Sequence, residues 1–217
     1  MSSEESVVAI DGRSARRHRN AARLYDAANE LLAIRGFDEL SVEEICERAD
    51  VGRATFFRIF ETKAGLLREF NRRLADDAAD RLAAAGDIDL RTALDHVRAA
   101  IVDAWRHAGP GHVGMAAAYI ATLPTGNPHA AHPELLALVA DRITMGMKTG
   151  AIVDTVPVDI AASLVLLSLV APVSHAIEGH DVDIDALSTV LLDQWLRGMT
   201  PTRSQAHTTR RTAPRRR

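Results

Sequence analysis

Apolar residues recur at three- and four-residue spacing along almost the whole chain, and no segment of useful length alternates as a strand would. The pattern predicts an all-α protein of about nine helices. A first helix is predicted over 18–35, with Ala21, Leu24, Ala28, Leu31 and Leu32 on its apolar face. Gly36 follows where a left-handed helix end favours glycine. Ser41 opens a second helix, and Glu44, three residues later, completes the sequence of a capping box. Ile45, Cys46 and Ala49 fall on the inward side of that helix. A break at 50–52 separates it from a short third helix over 53–59. Thr62 caps a fourth, running from 63 to about 84.

Further helices are predicted over 90–107, 113–123, 133–148, 157–178 and 184–197, divided by proline and glycine. Pro172 lies inside the eighth and is expected to bend it. That helix is apolar almost all round, so it needs cover on more than one side. Its own domain can bury one side and a second copy of the chain the other. Ala161, Leu164, Ser168 and Ala171, with Leu187, Leu191 and Trp195 of helix nine, form the expected dimer surface. The apolar run 160–174 is too short to span a bilayer, so no membrane partner is expected.

The segment 18–60 reads as a helix-turn-helix packed on a longer helix. A recognition helix exposes small or polar residues near its N-terminus while its other face stays apolar. GRATFFRIF fits this requirement. Phe56 and Phe60, four apart, can anchor the helix, which leaves Arg53, Ala54, Thr55, Phe57 and Arg58 on the groove side. Arginine suits guanine, and threonine or alanine suits a thymine methyl. Arg58 can equally be solvated surface. Arg13, Arg16, Arg17 and Arg19 are either an arm for the minor groove or a disordered leader.

Charge modifies this picture at one end. The 217 residues carry a net charge of -3, which by itself suggests no polyanionic partner. Six arginines and no acid lie in 199–217, so the remainder is clearly acidic. This tail reads as disordered, either adding non-specific nucleic-acid affinity or acting only as a solubilising end. The lone cysteine, Cys46, excludes a disulfide framework and a multi-cysteine metal site, and it reads as core. The acidic start of the chain is the reverse of a secretory signal, so the cytoplasm is the expected compartment.

The run AARLYDAANELLAIRGFDELSVEEICERADVGRATFFRIFETKAGLL, with its flanking residues, resembles the N-terminal domain of the TetR family of bacterial transcriptional regulators over 19–67. The resemblance implies that Ser41 meets a phosphate, that Arg53, Ala54 and Thr55 read bases, and that Lys63 meets a second phosphate. Gly52 stands where serine is common, and Phe57 where a tyrosine hydroxyl meets a phosphate; both substitutions remove one hydrogen bond. The expected partners are double-stranded DNA, a second copy of the chain and a small-molecule effector. The expected function is a homodimeric repressor released from a near-palindromic operator by that effector. The expected domains are an arm over 1–17, the DNA-binding domain over 18–62, a ligand-binding and dimerisation domain over 63–198, and the tail over 199–217.

Trp105, Met115, Tyr119, Met145, Met147 and His175 combine apolar area with polar tips and are candidate effector-pocket walls; each can also be plain core. No nucleophile elbow, P-loop or zinc-protease motif is present, and no dinucleotide site, enzyme activity or cofactor is expected. The pairs His107/His112 and His129/His132 lack the i, i+4 spacing of a helical metal site, so no metal is expected either. The run 181–185 starts like a calcium loop but has Ala186 and Leu192 where glycine and glutamate belong. It is read as a cap on helix nine. A helical interaction module with only non-specific DNA affinity is the alternative function.

Overall fold

Thirty residues, Ser3–Leu32, form the first helix (α1) of the computed structural model, which describes residues 3–123 and 131–201. The expected apolar face of α1 is buried as the spacing requires. Its start is not where expected, because residues 3–17, read as a flexible arm, continue the helix. Gly36 is also corrected: α1 ends at Leu32, and Gly36 is extended (φ −64°, ψ 152°), leading into a 3-10 turn, Phe37–Glu39.

The second helix, α2, spans Val42–Ala49, and the third, α3, spans Arg53–Phe60. Ser41 caps α2, its hydroxyl accepting from the Glu44 backbone N–H at 3.1 Å. The Glu44 carboxylate does not complete the box; it pairs with Arg35 instead. Asp50 ends α2 in the left-handed region (φ 49°, ψ 50°), a conformation aspartate tolerates better than most residues. After a 3-10 turn, Lys63–Leu66, α4 runs Leu67–Ala85. The remaining helices are α5 (Leu90–Arg106), α6 (Pro110–Ile120), α7 (Pro133–Thr149), α8 (Val158–Ile177) and α9 (Ile184–Met199). Nine α-helices and no strand therefore lie among the described residues. Residues 202–217, which hold most of the basic tail, and His129 lie outside them.

Packing divides the chain into two units, Met1–Arg73 with Arg106–Ala131, and Leu74–Trp105 with His132–Arg217. The first unit joins α6 to the helix-turn-helix segment and extends to Arg73. Residues 109–114 explain this. They read G-x-G-x-x-G, against the expectation that no such motif is present, yet no strand precedes them among the described residues and their glycines serve packing. A side chain at Gly111 would lie 2.6 Å from the Leu32 carbonyl oxygen, and one at Gly114 would lie 3.0 Å from Phe37 Cβ. Both glycines let α6 approach the end of α1 and the following turn.

Arg73 and Glu69 fix the start of α4 to α1. Arg73 donates to Asp26 at 2.7 Å and to Glu69 at 3.2 Å, and lies over the Tyr25 ring at 4.5 Å. Burial alone would raise the Glu69 pKa, but hydrogen bonds and charge from Arg72 and Arg73 hold it below the usual value.

In the second unit α8 packs against α7 and α9. It runs through Pro172, which is buried. At 20 residues α8 is long and apolar enough to cross a bilayer, which corrects the length argument made from its uncharged run. Core packing accounts for that composition: Val165, Leu166 and Leu169 are fully buried. Asp183 caps α9, accepting from the Ala186 N–H at 3.0 Å, as expected.

Candidate nucleic-acid interface

The recognition helix is anchored from beneath. Phe56 and Phe60 are buried with ring centroids 5.3 Å apart, and Ile59 is buried beside them. Burying those three on an eight-residue helix leaves Arg53, Ala54, Phe57 and Arg58 exposed and Thr55 half-exposed. The expected groove face is therefore the outward one. Phe57 is 41% exposed, a large apolar ring on the surface of the helix.

Its C-terminus is held by close contact and charge. A Cβ on Gly65 would lie 2.0 Å from the Phe60 carbonyl oxygen, so only glycine lets the turn before α4 approach there. Arg68 donates to that same carbonyl at 2.6 Å, close to the negative end of α3. At the other end, Gly52 precedes Arg53 with φ −65° and ψ 144° and makes no side-chain cap. Its backbone does not demand glycine, and nothing lies within 4 Å of a Cβ built there.

Two expected contacts are already engaged within the protein. Arg53 forms an ion pair with Glu43 of α2 and sits 5.9 Å from the Phe57 ring centroid. The Lys63 ammonium, expected at a phosphate, donates to the carbonyls of Phe37 and Leu40, both at 2.8 Å. It also lies 4.3 Å from the Phe37 ring centroid. An ammonium has three donors, so two are committed to holding the turn between α1 and α2.

The arginines before α1's predicted start gain a different setting. Arg16, Arg17 and Asn20 line a concavity of about 520 Å³ with Thr55, Arg58 and Ile59 of α3. Arg16 and Arg17 thus stand on a helix beside the recognition helix. The expected start at His18 leaves them off the helix, which the structure extends back to Ser3.

Cys46 is buried, and desolvation raises its pKa, which keeps the thiol protonated. Its core reading holds.

The family model for bacterial regulatory proteins of the tetR family matches residues 24–70, which span the last nine residues of α1, α2, α3 and the start of α4. The chain carries a tetR-family helix-turn-helix. No curated protein sequence matches the chain. Among solved structures, RolR without ligand is 20% identical, with a TM-score of 0.61, covering 88% of this chain and 97% of that one. RolR in complex with resorcinol is 22% identical, with a TM-score of 0.59, covering 93% and 98%. FadR from Bacillus subtilis in complex with stearoyl-CoA is 19% identical, with a TM-score of 0.58, covering 82% and 98%. These likenesses extend the fold beyond the tetR-family segment to most of the chain.

The expected effector residues are divided between the two units. Met115 is fully buried and Tyr119 half-buried on α6 of the first unit. In the second unit Trp105 and Met147 are half-buried, whereas Met145 is 53% exposed and His175 stands on the surface. A cavity of about 500 Å³ in that unit is bordered by Leu90, Arg91, Ile152, Asp193 and Arg197, and it contains none of the six.

The expected dimer surface is partly corrected as well. Ala161 is fully buried within its own unit, one position round from the outward stripe. Leu164 is 50% exposed, and Ile160 and Leu167, not singled out from the sequence, are exposed on the same side. Ser168, Ala171, Leu187, Leu191 and Trp195 are half-exposed, and Val190 is exposed.

Proposed function

We propose that this chain is a sequence-specific DNA-binding transcriptional regulator of the cytoplasm that acts as a homodimer and represses until a small molecule releases it. The single observation carrying the DNA-binding part is the outward row Arg53, Ala54, Thr55, Phe57 and Arg58 on a helix whose other face is sealed by Phe56, Ile59 and Phe60. In this reading Arg53, Ala54 and Thr55 meet base edges in the major groove. Ser41, Phe57 and the backbone N–H groups at Gly52 meet the phosphodiester backbone. Arg16, Arg17 and Arg58 add positive charge beside them.

Dimerisation is supported by the exposed apolar residues of α8 and α9. A two-fold pair presents two recognition helices, so the operator is a near-palindrome with half-sites one or more helical turns apart. The effector is supported by neighbours of the same fold crystallised with resorcinol and with stearoyl-CoA.

The test is selection of bound sequences from random duplex DNA, using the full chain and a chain truncated after Thr200. Recovery of one near-palindrome by both supports the proposal. Binding without a consensus that disappears with the tail would overturn it in favour of a helical interaction module with non-specific affinity.

A further inference from the structure

The end of α8, in the second unit, brings together three groups. Gly179 takes φ +89° immediately after the helix. Its N–H donates to the Ala176 carbonyl at 3.1 Å, and the His180 N–H donates to the His175 carbonyl, also at 3.1 Å. This pair of bonds is a Schellman motif, which sets the second residue beyond the helix beside the residue five positions earlier. That contact is commonly apolar. Here it joins two imidazoles, His175 and His180, with ring centroids 4.9 Å apart and planes at 85°.

Glu178, between them in sequence, completes the cluster. Its Oε2 lies 3.5 Å from His175 Nδ1 and 3.7 Å from His180 Nε2. All three potential ligand atoms lie within 4.8 Å of one another. Donors bound tetrahedrally to zinc at about 2.0–2.1 Å stand about 3.3 Å apart. Small rotations of exposed side chains therefore bring this set to bonding geometry, with the backbone left as it is. The carbonyl end of α8 adds a negative field that favours a cation.

We propose that His175, Glu178 and His180 form a binding site for a divalent transition-metal ion of the zinc, cobalt and nickel class. Two imidazole nitrogens and one carboxylate oxygen match the preference of those ions for mixed nitrogen and oxygen donors, and leave a position for water or a fourth ligand. The spacing i, i+5 explains why the site was missed in the sequence. It is out of register on a continuous helix, and the left-handed turn at Gly179 restores the adjacency.

The experiment uses the full chain, stripped with a chelator and desalted. Zinc is titrated against a chromophoric chelator, and cobalt is followed through its visible d–d bands. The expected result is one equivalent per chain in the micromolar range or tighter. His175→Gln and His180→Gln should each weaken binding by roughly tenfold or more, and the double variant should lose the cobalt spectrum. Zinc should also raise the thermal midpoint of the parent chain and leave that of the double variant unchanged. Because these side chains are exposed, the variants fold, and circular dichroism checks this. Failure to bind either ion at about 100 µM, or equal uptake by the double variant, would overturn the site and assign any uptake to other histidines.

Discussion

Arg53 is occupied before DNA arrives. Its guanidinium pairs with Glu43 and packs near Phe57, and both partners of the ion pair are more than half exposed. Such a pair contributes about 0–1 kcal/mol, whereas a bidentate contact to guanine discriminates by about 1–3 kcal/mol. In the proposed role, base contact outweighs the pair with Glu43. Arg53→Ala is expected to cost about 1–3 kcal/mol on the selected operator and less on random duplex, measured by fluorescence anisotropy. Equal losses on both would remove Arg53 from base reading. Lys63 calls for a different test, because it donates to two carbonyls. Lys63→Ala should lower the stability of the DNA-binding unit by about 1–3 kcal/mol in urea denaturation, since it leaves both acceptors without their charged donor. An unchanged denaturation midpoint with a salt slope reduced by about 1 would instead assign it to phosphate.

His112 adds a pH dependence at the same scale. Its Nε2 lies 2.7 Å from Asn29 Oδ1, and its buried Nδ1 has no partner. Burial lowers its pKa, so the folded chain keeps the imidazole neutral. As pH falls below about 6.5, the unfolded chain takes up this proton more readily than the folded one. Stability contributed by the neutral ring is complete above that value and declines as pH falls toward the folded pKa. Denaturation midpoints between pH 8 and pH 5 should therefore fall, and His112→Gln should flatten that part of the dependence. An unchanged slope in the variant would assign the effect elsewhere.

At the scale of elements, the ends of helices decide how the recognition helix is aimed. Gly65 lies so close to the Phe60 carbonyl that an added methyl must displace either the turn before α4 or the last turn of α3. Gly65→Ala is expected to destabilise the unit by more than the usual preference of helices for alanine could restore, and to weaken operator binding. Gly52→Ser is the contrasting case. Its backbone is ordinary and the space is open, so a hydroxyl there can cap α3 for a few tenths of a kcal/mol and offer one more phosphate contact. Operator affinity should rise modestly, and a loss would show that the chain needs bare backbone there. These cases also show what a sequence makes legible. The face of α1 and the cap at Ser41 follow from spacing and local chemistry, and the structure has them. The diversion of Lys63 and the seating of α6 through Gly111 and Gly114 depend on contacts between segments distant in sequence, and the role of Gly65 on how tightly a local turn closes on Phe60, neither of which periodicity encodes. The error at Ala161 is of another kind. On a helix apolar all round, period alone cannot say which side its own unit covers.

For the whole molecule, the proposed dimer would link the outward residues of α8 and α9 to DNA affinity. Ile160, Leu164, Leu167 and Val190 leave apolar area in water on a single chain. Ile160, Leu164 and Leu167 follow one another at helical spacing, so one partner surface can cover them together. Burial of that stripe between two copies is the proposed source of the dimer. A charge placed within it would be desolvated on association, at a cost well above that of one lost leucine contact. Leu164→Asp should therefore convert the chain to a monomer in sedimentation while leaving its helix content unchanged, because the position is solvent-exposed in the isolated chain. Each monomer retains its recognition helix, so binding to a single half-site should persist at the affinity of one head. Binding to the full near-palindrome should fall by orders of magnitude, because the second head no longer benefits from an effective concentration set by its partner. If the variant remains dimeric, the interface lies elsewhere on the chain. If it is monomeric yet binds the palindrome as tightly as the parent chain, two heads assemble on DNA without α8 and α9, and the proposed link between the dimer face and operator affinity is broken.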